Sequence, residues 1–270
     1  MIKPKTLFFV LIASFFYGQD GFGRTETLSE RASNPITNLS QFQLENDFSP
    51  KNFGSHDSAN MISIKPLIAL NKTKFFPIEQ LMRIKFQIPT LPLSAKTKEG
   101  TSLGDTQFFD LFVKEEPSWG RWGIGPAAIF PTATTLDAGQ GKWQLGPALG
   151  VSILKFPDWQ MGFLAQNPIS FAGNSHKAKQ NYLLFQPFII YHFLKNSYVI
   201  SNGEWTIDWL SQTKQIPVNI GIGHTGSFIN NLKVDSLLQF EYMAYQNATK
   251  SAGYVNQYTI QLSFSILFGE

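Results

Sequence analysis

The sequence has no cysteine, few charges and few histidines, and each shortage removes a class of protein. Without cysteine, disulfide frameworks, zinc–thiolate sites, cysteine nucleophiles and cysteine-linked lipid anchors are all excluded. Only 15% of the 270 residues are charged, and the formal net charge of +3 is too small to favour a nucleic acid as the partner. The four histidines lie far apart without HExxH spacing, so the sequence predicts no metal site and no cofactor.

A long apolar run is also missing after residue 18, since no later stretch offers the ~20 apolar residues that a membrane-crossing helix needs. At the start of the chain, Lys3 and Lys5 precede an apolar run at 7–17 and the small residue Gly18. This pattern predicts an export signal over residues 1–18. Because only helices and closed barrels satisfy their backbone groups in lipid, a mature membrane protein of this sequence must be a β-barrel.

Aromatic and apolar side chains are plentiful, and they recur at every second position. In the last segment six of them alternate with small or polar residues: Tyr258, Ile260, Leu262, Phe264, Ile266 and Phe268. Successive side chains of a strand point to opposite faces, so this period predicts one apolar face and one wetted face. The same pattern predicts strands at 36–48, 59–70, 79–91, 103–115, 119–131, 142–154, 158–170, 180–194, 197–208, 217–226, 233–246 and 256–268.

The lengths of the strands and of their connectors predict the fold class. Most segments reach the ~9–11 residues of a tilted membrane-crossing strand, whereas strands of soluble proteins average ~5–6. Short connectors such as 116–118 and 195–196 alternate with longer polar ones such as 92–102 and 132–141. We therefore predict an all-β fold, a closed antiparallel transmembrane β-barrel of about twelve strands with short periplasmic turns and longer outer loops. A soluble β-sandwich with an aromatic core is the alternative.

The predicted organisation has three parts. Residues 1–18 form the export signal, and residues 19–35 form a polar lead that either hangs free or folds into the barrel as a plug. Residues 36–270 form the barrel, and the predicted location is the bacterial outer membrane. The Gly-Pro pairs at 125–126 and 146–147 fall inside predicted strands, where we interpret them as β-bulges.

Four stretches give the sequence a family likeness: WGIGPAAIFPTATTLDAGQGKWQLGPALGVSIL, FAGNSHKAKQNYLLFQPFIIYHF, GEWTIDW and the closing QYTIQLSFSILFGE. The chain resembles a family of bacterial outer-membrane proteins named for the meta-pathway of phenol degradation, whose members are often mislabelled neuromedin U. The likeness runs from Asn34 to Phe268. It implies a twelve-stranded barrel that passes small molecules, aromatic or apolar ones among them, across the outer membrane.

Charged and amide side chains at the predicted inward positions are the candidate functional site. Several lie on consecutive strands, so they are expected to meet inside the barrel as a polar constriction or solute site. The candidates are Lys65, Arg83, Lys85, Asp110, Arg121, Gln144, Gln166, Gln186, Glu204 and Glu241. The alternative is a salt-bridge network that fills the lumen, because twelve strands fall between the filled barrels of roughly eight strands and the open ones of roughly 16–18.

Other classes of function fit the sequence less well. A barrel lipase would use Ser201 or Ser263 with His192, but no sequence pattern places a base beside either serine. A surface-interaction barrel would depend on its outer loops, which are short and polar. The prediction is therefore a non-enzymatic, porin-like passive transporter or channel, with membrane lipid and a small-molecule solute as partners and no nucleic acid. A structural or surface-interaction barrel with a closed lumen is the alternative.

Overall fold

The structure, a computed structural model, describes residues 25–73, 77–228 and 231–268. The predicted export signal and the first part of the predicted polar lead lie outside this range. No helix in the described residues is long and apolar enough to cross a membrane. The elements are α1 (Leu28–Ser33), β1 (Ser40–Phe53), β2 (Ala59–Leu70), β3 (Glu79–Leu91), β4 (Gly100–Thr101), β5 (Thr106–Glu116), β6 (Gly120–Phe130), β7 (Lys142–Ile153), β8 (Trp159–Gln166), β9 (Ile169–Gly173), β10 (Tyr182–Leu194), β11 (Ser197–Ser201), β12 (Trp205–Asp208), β13 (Lys214–Ser227), β14 (Lys233–Gln246), α2 (Thr249–Ala252) and β15 (Val255–Phe268).

Antiparallel pairing closes these strands into a barrel. The chain pairs each strand with the next along the sequence, and β15 pairs with β1 to complete the ring. β8 and β9 together occupy one position in the wall, and β11 and β12 together occupy another. β4 pairs only beside the end of β3. The wall therefore has twelve positions, which confirms the predicted fold class.

The two ends of the barrel differ in their connectors. We call the end at which β1 begins and β15 ends the short-turn end, because it carries connectors such as 117–119 and 195–196. The opposite end, the long-loop end, carries connectors such as 131–141 and 174–181. In the orientation typical of outer-membrane barrels, the short turns face the periplasm.

Three details of the strands differ from the sequence-based expectation. The first strand begins at Ser40, because residues 36–39 lie inside the barrel instead of in its wall. The predicted strand 158–170 is interrupted at Pro168, which has no N–H to donate. The prediction of β-bulges at the two Gly-Pro pairs is wrong, because Pro126 lies directly opposite Pro147 and the pairing of β6 with β7 has no shift of register.

The outward face of the wall is apolar, as predicted. Ile260, Leu262 and Phe264 of β15 are each 44–46% exposed, whereas the polar residues between them point to the inside of the barrel. Aromatic pairs lie near both ends, with the rings of Trp159 and Tyr191 4.7 Å apart near the short-turn end. Such an exterior suits lipid, and the flanking rings suit the interfaces with water.

The inward face has an apolar half and a polar half, whereas the sequence predicted a wetted interior throughout. Inward side chains of β5–β10 pack together around Ile36, which is fully buried; the packed residues include Phe109, Leu111, Val113, Ala127, Ala148, Leu164, Phe188 and Ile190. The inward positions of β1–β3 and β11–β15 are mostly polar. The polar half therefore contains the space in which a solute can be held.

Candidate functional site

A cavity of ≈340 Å³ lies inside the barrel against its polar half. Its lining runs from Met61 and Asn256 near the long-loop end to Gln41 and Ser265 near the short-turn end. Residues 32–35 of the N-terminal region also line it. A cavity of this size is at the small end of the range for ligand sites, so it suits a small solute.

Basic side chains project into the cavity from β2 and β3. Lys65 forms an ion pair with Glu45 of the neighbouring strand β1, and both side chains are largely buried. The guanidinium of Arg83 lies 4.6 Å from the centre of the Phe109 ring, at the border between the polar and apolar halves. Stacking on an aromatic face holds a guanidinium in place while its N–H groups stay available. Lys85 lines the cavity two residues further along β3.

Acidic side chains enter the cavity from the other strands of the polar half. Glu204 precedes β12, and Glu241 lies on β14. Asp47 on β1 accepts a hydrogen bond of 2.8 Å from the Gln261 amide. Asp235 accepts hydrogen bonds of 2.7 Å from the Tyr198 hydroxyl and 2.6 Å from the Thr225 hydroxyl.

A cluster of amides separates the charged groups on the wall formed by β11–β14. The Asn219 amide donates to Asn202 Oδ1 at 3.0 Å, and Gln239 donates to the same oxygen at 2.7 Å. Gln186 donates to the backbone carbonyl of Asn202 at 3.2 Å. These bonds fix the side chains that face the cavity, because each amide has a defined partner.

The short-turn end of the lumen is occupied by residues 25–39, which we call the N-terminal segment. Its helix α1 begins with a capping box, in which the Thr27 hydroxyl and the Glu30 carboxylate each accept a hydrogen bond from the other residue's backbone N–H. The helix therefore holds its shape locally, although it is short. Ile36 follows it and packs into the apolar half of the wall.

Polar contacts join the N-terminal segment to three neighbouring strands. Arg121 of β6 forms an ion pair with Glu26 and donates a hydrogen bond to the Ile36 carbonyl. The Asn34 amide donates to Ser152 of β7 at 2.8 Å, and Gln160 of β8 donates to the Glu30 carbonyl at 3.1 Å. The segment is therefore fixed to the inner wall at the short-turn end of the lumen.

The electrostatics of this attachment centre on one carboxyl group. Burial raises the pKa of Glu26 above its ordinary value, although the adjacent Arg121 guanidinium acts in the opposite direction. The carboxyls of Glu30 and Glu115 add to the upward shift. Ionised Glu26 is thus less favourable inside the barrel than in water.

The structure brings six of the ten candidate residues together and places the other four elsewhere. Six line the cavity: Lys65, Arg83, Lys85, Gln186, Glu204 and Glu241. Arg121 binds the N-terminal segment, and Gln144 donates to Gln140 near the long-loop end. Gln166 ends β8 and is not among the residues that line the cavity.

Asp110 is on the opposite face from the one predicted. Phe109, Leu111 and Val113 of β5 are buried inward, so the intervening Asp110 and the exposed Phe112 point out of the barrel. Its partner is Gln80, which donates to the Asp110 carboxylate at 3.4 Å. The prediction assumed that a charge must face inward, and that assumption is wrong here.

Several lining residues were missed in the sequence, chiefly Asn202, Asn219, Asp235 and Gln239. Asp235 and Gln239 share the parity of Glu241 along β14, so the alternation itself could have identified them. Asn202 lies between β11 and β12, where no alternation applies.

Two of the three residues considered for a lipase contact other groups. Ser263 accepts a hydrogen bond of 2.8 Å from Gln43, and the His192 ring lies 3.5 Å from the Ser33 hydroxyl of the N-terminal segment. No group of three or more metal-binding side chains occurs in the part of the chain that the structure describes.

Comparisons with known proteins identify the fold of the chain. No family model and no curated protein matches the sequence. Among solved structures, an outer membrane channel from Pseudomonas putida F1 is similar with a TM-score of 0.61 and 9% identity, over 85% of this chain and 94% of that one. The NanC porin is similar with a TM-score of 0.52 and 11% identity, over 85% of this chain and all of the porin. The chain thus has the barrel fold of outer-membrane porins and channels.

Proposed function

We propose that the protein is an outer-membrane channel that passes small polar solutes through its lumen. The observation that carries this proposal is the ≈340 Å³ cavity with charged and amide walls inside a barrel whose exterior is apolar. A purely structural lumen would be filled, with its charges paired to one another. Here only part of the lumen is filled.

The lining favours polar solutes over the aromatic or apolar ones that the family likeness implies. Arg83, Lys85 and Glu241 all face the cavity. An apolar solute would displace water from these charges without replacing the lost hydrogen bonds, which is unfavourable. A transport assay should therefore compare a small polar solute with an apolar aromatic compound, and we expect faster uptake of the polar solute.

The location and the family belong to the same proposal. The export signal predicted at 1–18 and the lipid-facing row on β15 support insertion into the outer membrane. The quoted sequence likeness supports membership of the phenol meta-pathway family. Recovery in outer-membrane fractions, heat-modifiable migration on gels and a mature N-terminus after residue 18 are the expected results. Recovery in the soluble periplasm would contradict them.

Passage requires the N-terminal segment to move, because residues 25–39 occupy the short-turn end of the lumen. The absence of natural cysteine allows a direct test. Asn34 and Ser152 make a side-chain contact of 2.8 Å, so a short bis-methanethiosulfonate crosslinker should join the two thiols of Asn34→Cys/Ser152→Cys and lock the segment to β7. In planar bilayers the crosslinked variant should fall to the leak of a protein-free membrane, and a thiol reductant should restore conductance.

Two controls make the result decisive. Asn34→Cys alone offers no second thiol, so the crosslinker cannot join it to β7 and its conductance should stay above the leak with and without reductant. A variant without residues 19–35 should conduct at least as well as the natural protein. If the natural, reduced and truncated forms all fail to conduct, the protein is a structural or surface-interaction barrel with a closed lumen and not a channel.

A further inference from the structure

The charges that face the cavity are segregated on different walls. Arg83 and Lys85 belong to β3, with the paired Lys65 beside them on β2. Glu204 directly precedes β12, which lies six wall positions from β3 in the ring of twelve. Glu241 and Asp235 lie on β14 and Asp47 lies on β1, all on the arc of the wall between those two. A solute in the cavity is therefore flanked by cations on one side and by carboxylates on the other.

Most of these charges have no ion-pair partner in the described residues. Lys65 and Glu45 neutralise each other, but no ion pair or hydrogen bond joins Arg83, Lys85, Glu204 or Glu241 to the described chain. Arg83 is held on the Phe109 ring, which leaves its N–H groups free for a ligand.

From this arrangement we infer that the cavity selects small zwitterionic solutes, in which one molecule carries a carboxylate and an ammonium group. The inference rests on the proposed channel function and specifies its substrate class. The solute carboxylate meets Arg83 and Lys85, and the planar guanidinium gives the two-pronged contact that carboxylates favour. The solute ammonium meets Glu204 and Glu241. A simple anion or cation satisfies one wall and is repelled by the other.

The volume and the neutral lining agree with this class. A cavity of ≈340 Å³ leaves room for a small solute with some water. The amides of Gln186, Asn219 and Gln239 lie between the charged groups and bond chiefly to Asn202. They give the middle of the solute a polar wall without adding charge.

The test is uptake into proteoliposomes of four small probes that differ in charge: β-alanine, choline, succinate and arabinose. We expect β-alanine to enter fastest. Arg83→Gln and Glu241→Gln should each lower β-alanine uptake about tenfold, the factor that corresponds to one charge-assisted hydrogen bond. The two variants should have opposite effects on the charged probes. Arg83→Gln removes a cation and should raise choline uptake, and Glu241→Gln removes an anion and should raise succinate uptake.

Matched controls separate this effect from misfolding. The double variant Lys114→Gln/Glu116→Gln removes an ion pair whose residues do not line the cavity, and it should keep the order of the four probes. Lys98→Gln alters a charge in a long-loop connector and should change nothing. Heat-modifiable migration on gels verifies that each variant is folded.

The possible outcomes are distinct. Equal uptake of all four probes, or a β-alanine preference that persists in both Arg83→Gln and Glu241→Gln, would overturn the zwitterion inference and leave the channel intact. No uptake of any probe, even after deletion of residues 19–35, would remove the channel function and the inference with it.

Discussion

Ile36 of the N-terminal segment rests on Gly150 of β7. A β-carbon added at Gly150 would lie 2.5 Å from Ile36 Cδ1 and 3.1 Å from Leu111 Cδ1. The space normally taken by a wall side chain is thus filled by a side chain of the segment. This contact couples the closure of the lumen to one small residue in the wall.

Replacing that glycine should release the segment without unfolding the barrel. Gly150→Ala overpacks the site at Ile36, and overpacking of this kind costs about 1–3 kcal/mol. The expected result is faster trypsin cleavage after Arg31 in the folded barrel, detected by mass spectrometry, together with higher conductance.

Gly123→Ala is the matched control. Its β-carbon would meet Val113 and Leu111 of the wall at 3.1–3.2 Å, and none of its three nearest atoms belongs to the N-terminal segment. It adds the same methyl group to the inward face of the wall but should leave cleavage after Arg31 unchanged. Equal cleavage in the two variants would show that Gly150 has no special role in closure.

Asp110 should lower the stability of the barrel, because its carboxylate lies on the lipid side of β5. Charged residues on the lipid face of a barrel are unfavourable, with acidic ones less so than the ~2–4 kcal/mol of basic ones at the midplane. Asp110→Leu should raise the free energy of unfolding by up to about 2 kcal/mol. Urea unfolding in lipid vesicles measures the change.

Glu45→Leu gives the opposite expectation at a lumenal position. It leaves the charge of Lys65 buried without a partner, which costs about 3–5 kcal/mol. A loss of stability in Asp110→Leu would mean that the carboxylate has a stabilising partner on the outer face.

The different outcomes for Asp110 and Ile260 show what the alternation can decide. Around Ile260 apolar residues alternate cleanly with polar ones, so the sequence defines the outward face of β15 without knowledge of any neighbour. Around Asp110 the sequence is apolar at both parities, with Phe108 and Phe112 on one face and Phe109 and Leu111 on the other. The alternation therefore does not define the inward face of β5, and only the pairing of β5 with β3 and β6 determines which side chains point inward.

The candidate site divides in the same way. Lys65, Arg83 and Glu241 could be identified because each is a polar residue on an otherwise regular inward row. The attachment of the N-terminal segment could not be predicted, because Glu26 and Arg121 meet only after six strands have formed. Such long-range contacts depend on the closed barrel and leave no local period.

Tyr198 should be more important to the lumen than its sequence context indicates. The ring lies across Gly223, where a β-carbon would collide with it, and its hydroxyl donates to Asp235 at 2.7 Å. Tyr198→Phe leaves the buried carboxylate with Thr225 as its remaining partner. The free energy of unfolding should fall by about 1–3 kcal/mol. Tyr191→Phe, on the outer face, is the control and should have little effect.

Closure by the N-terminal segment should depend on pH through Glu26. A carboxyl whose pKa is higher in the docked segment than in the released one binds its proton more tightly when docked. Docking therefore strengthens as the pH falls through the raised pKa toward the ordinary value of 4.5, and weakens as the pH rises through the same window. A spin label at Arg31→Cys should become less mobile from neutral pH down to about pH 4.

The control replaces the titrating group while keeping its shape. Glu26→Gln resembles the protonated side chain, so it should abolish the part of the response that lies between 4.5 and the raised pKa. A label that becomes more mobile in acid would mean that the ion pair with Arg121 outweighs the burial of Glu26, which reverses the sign of the linkage.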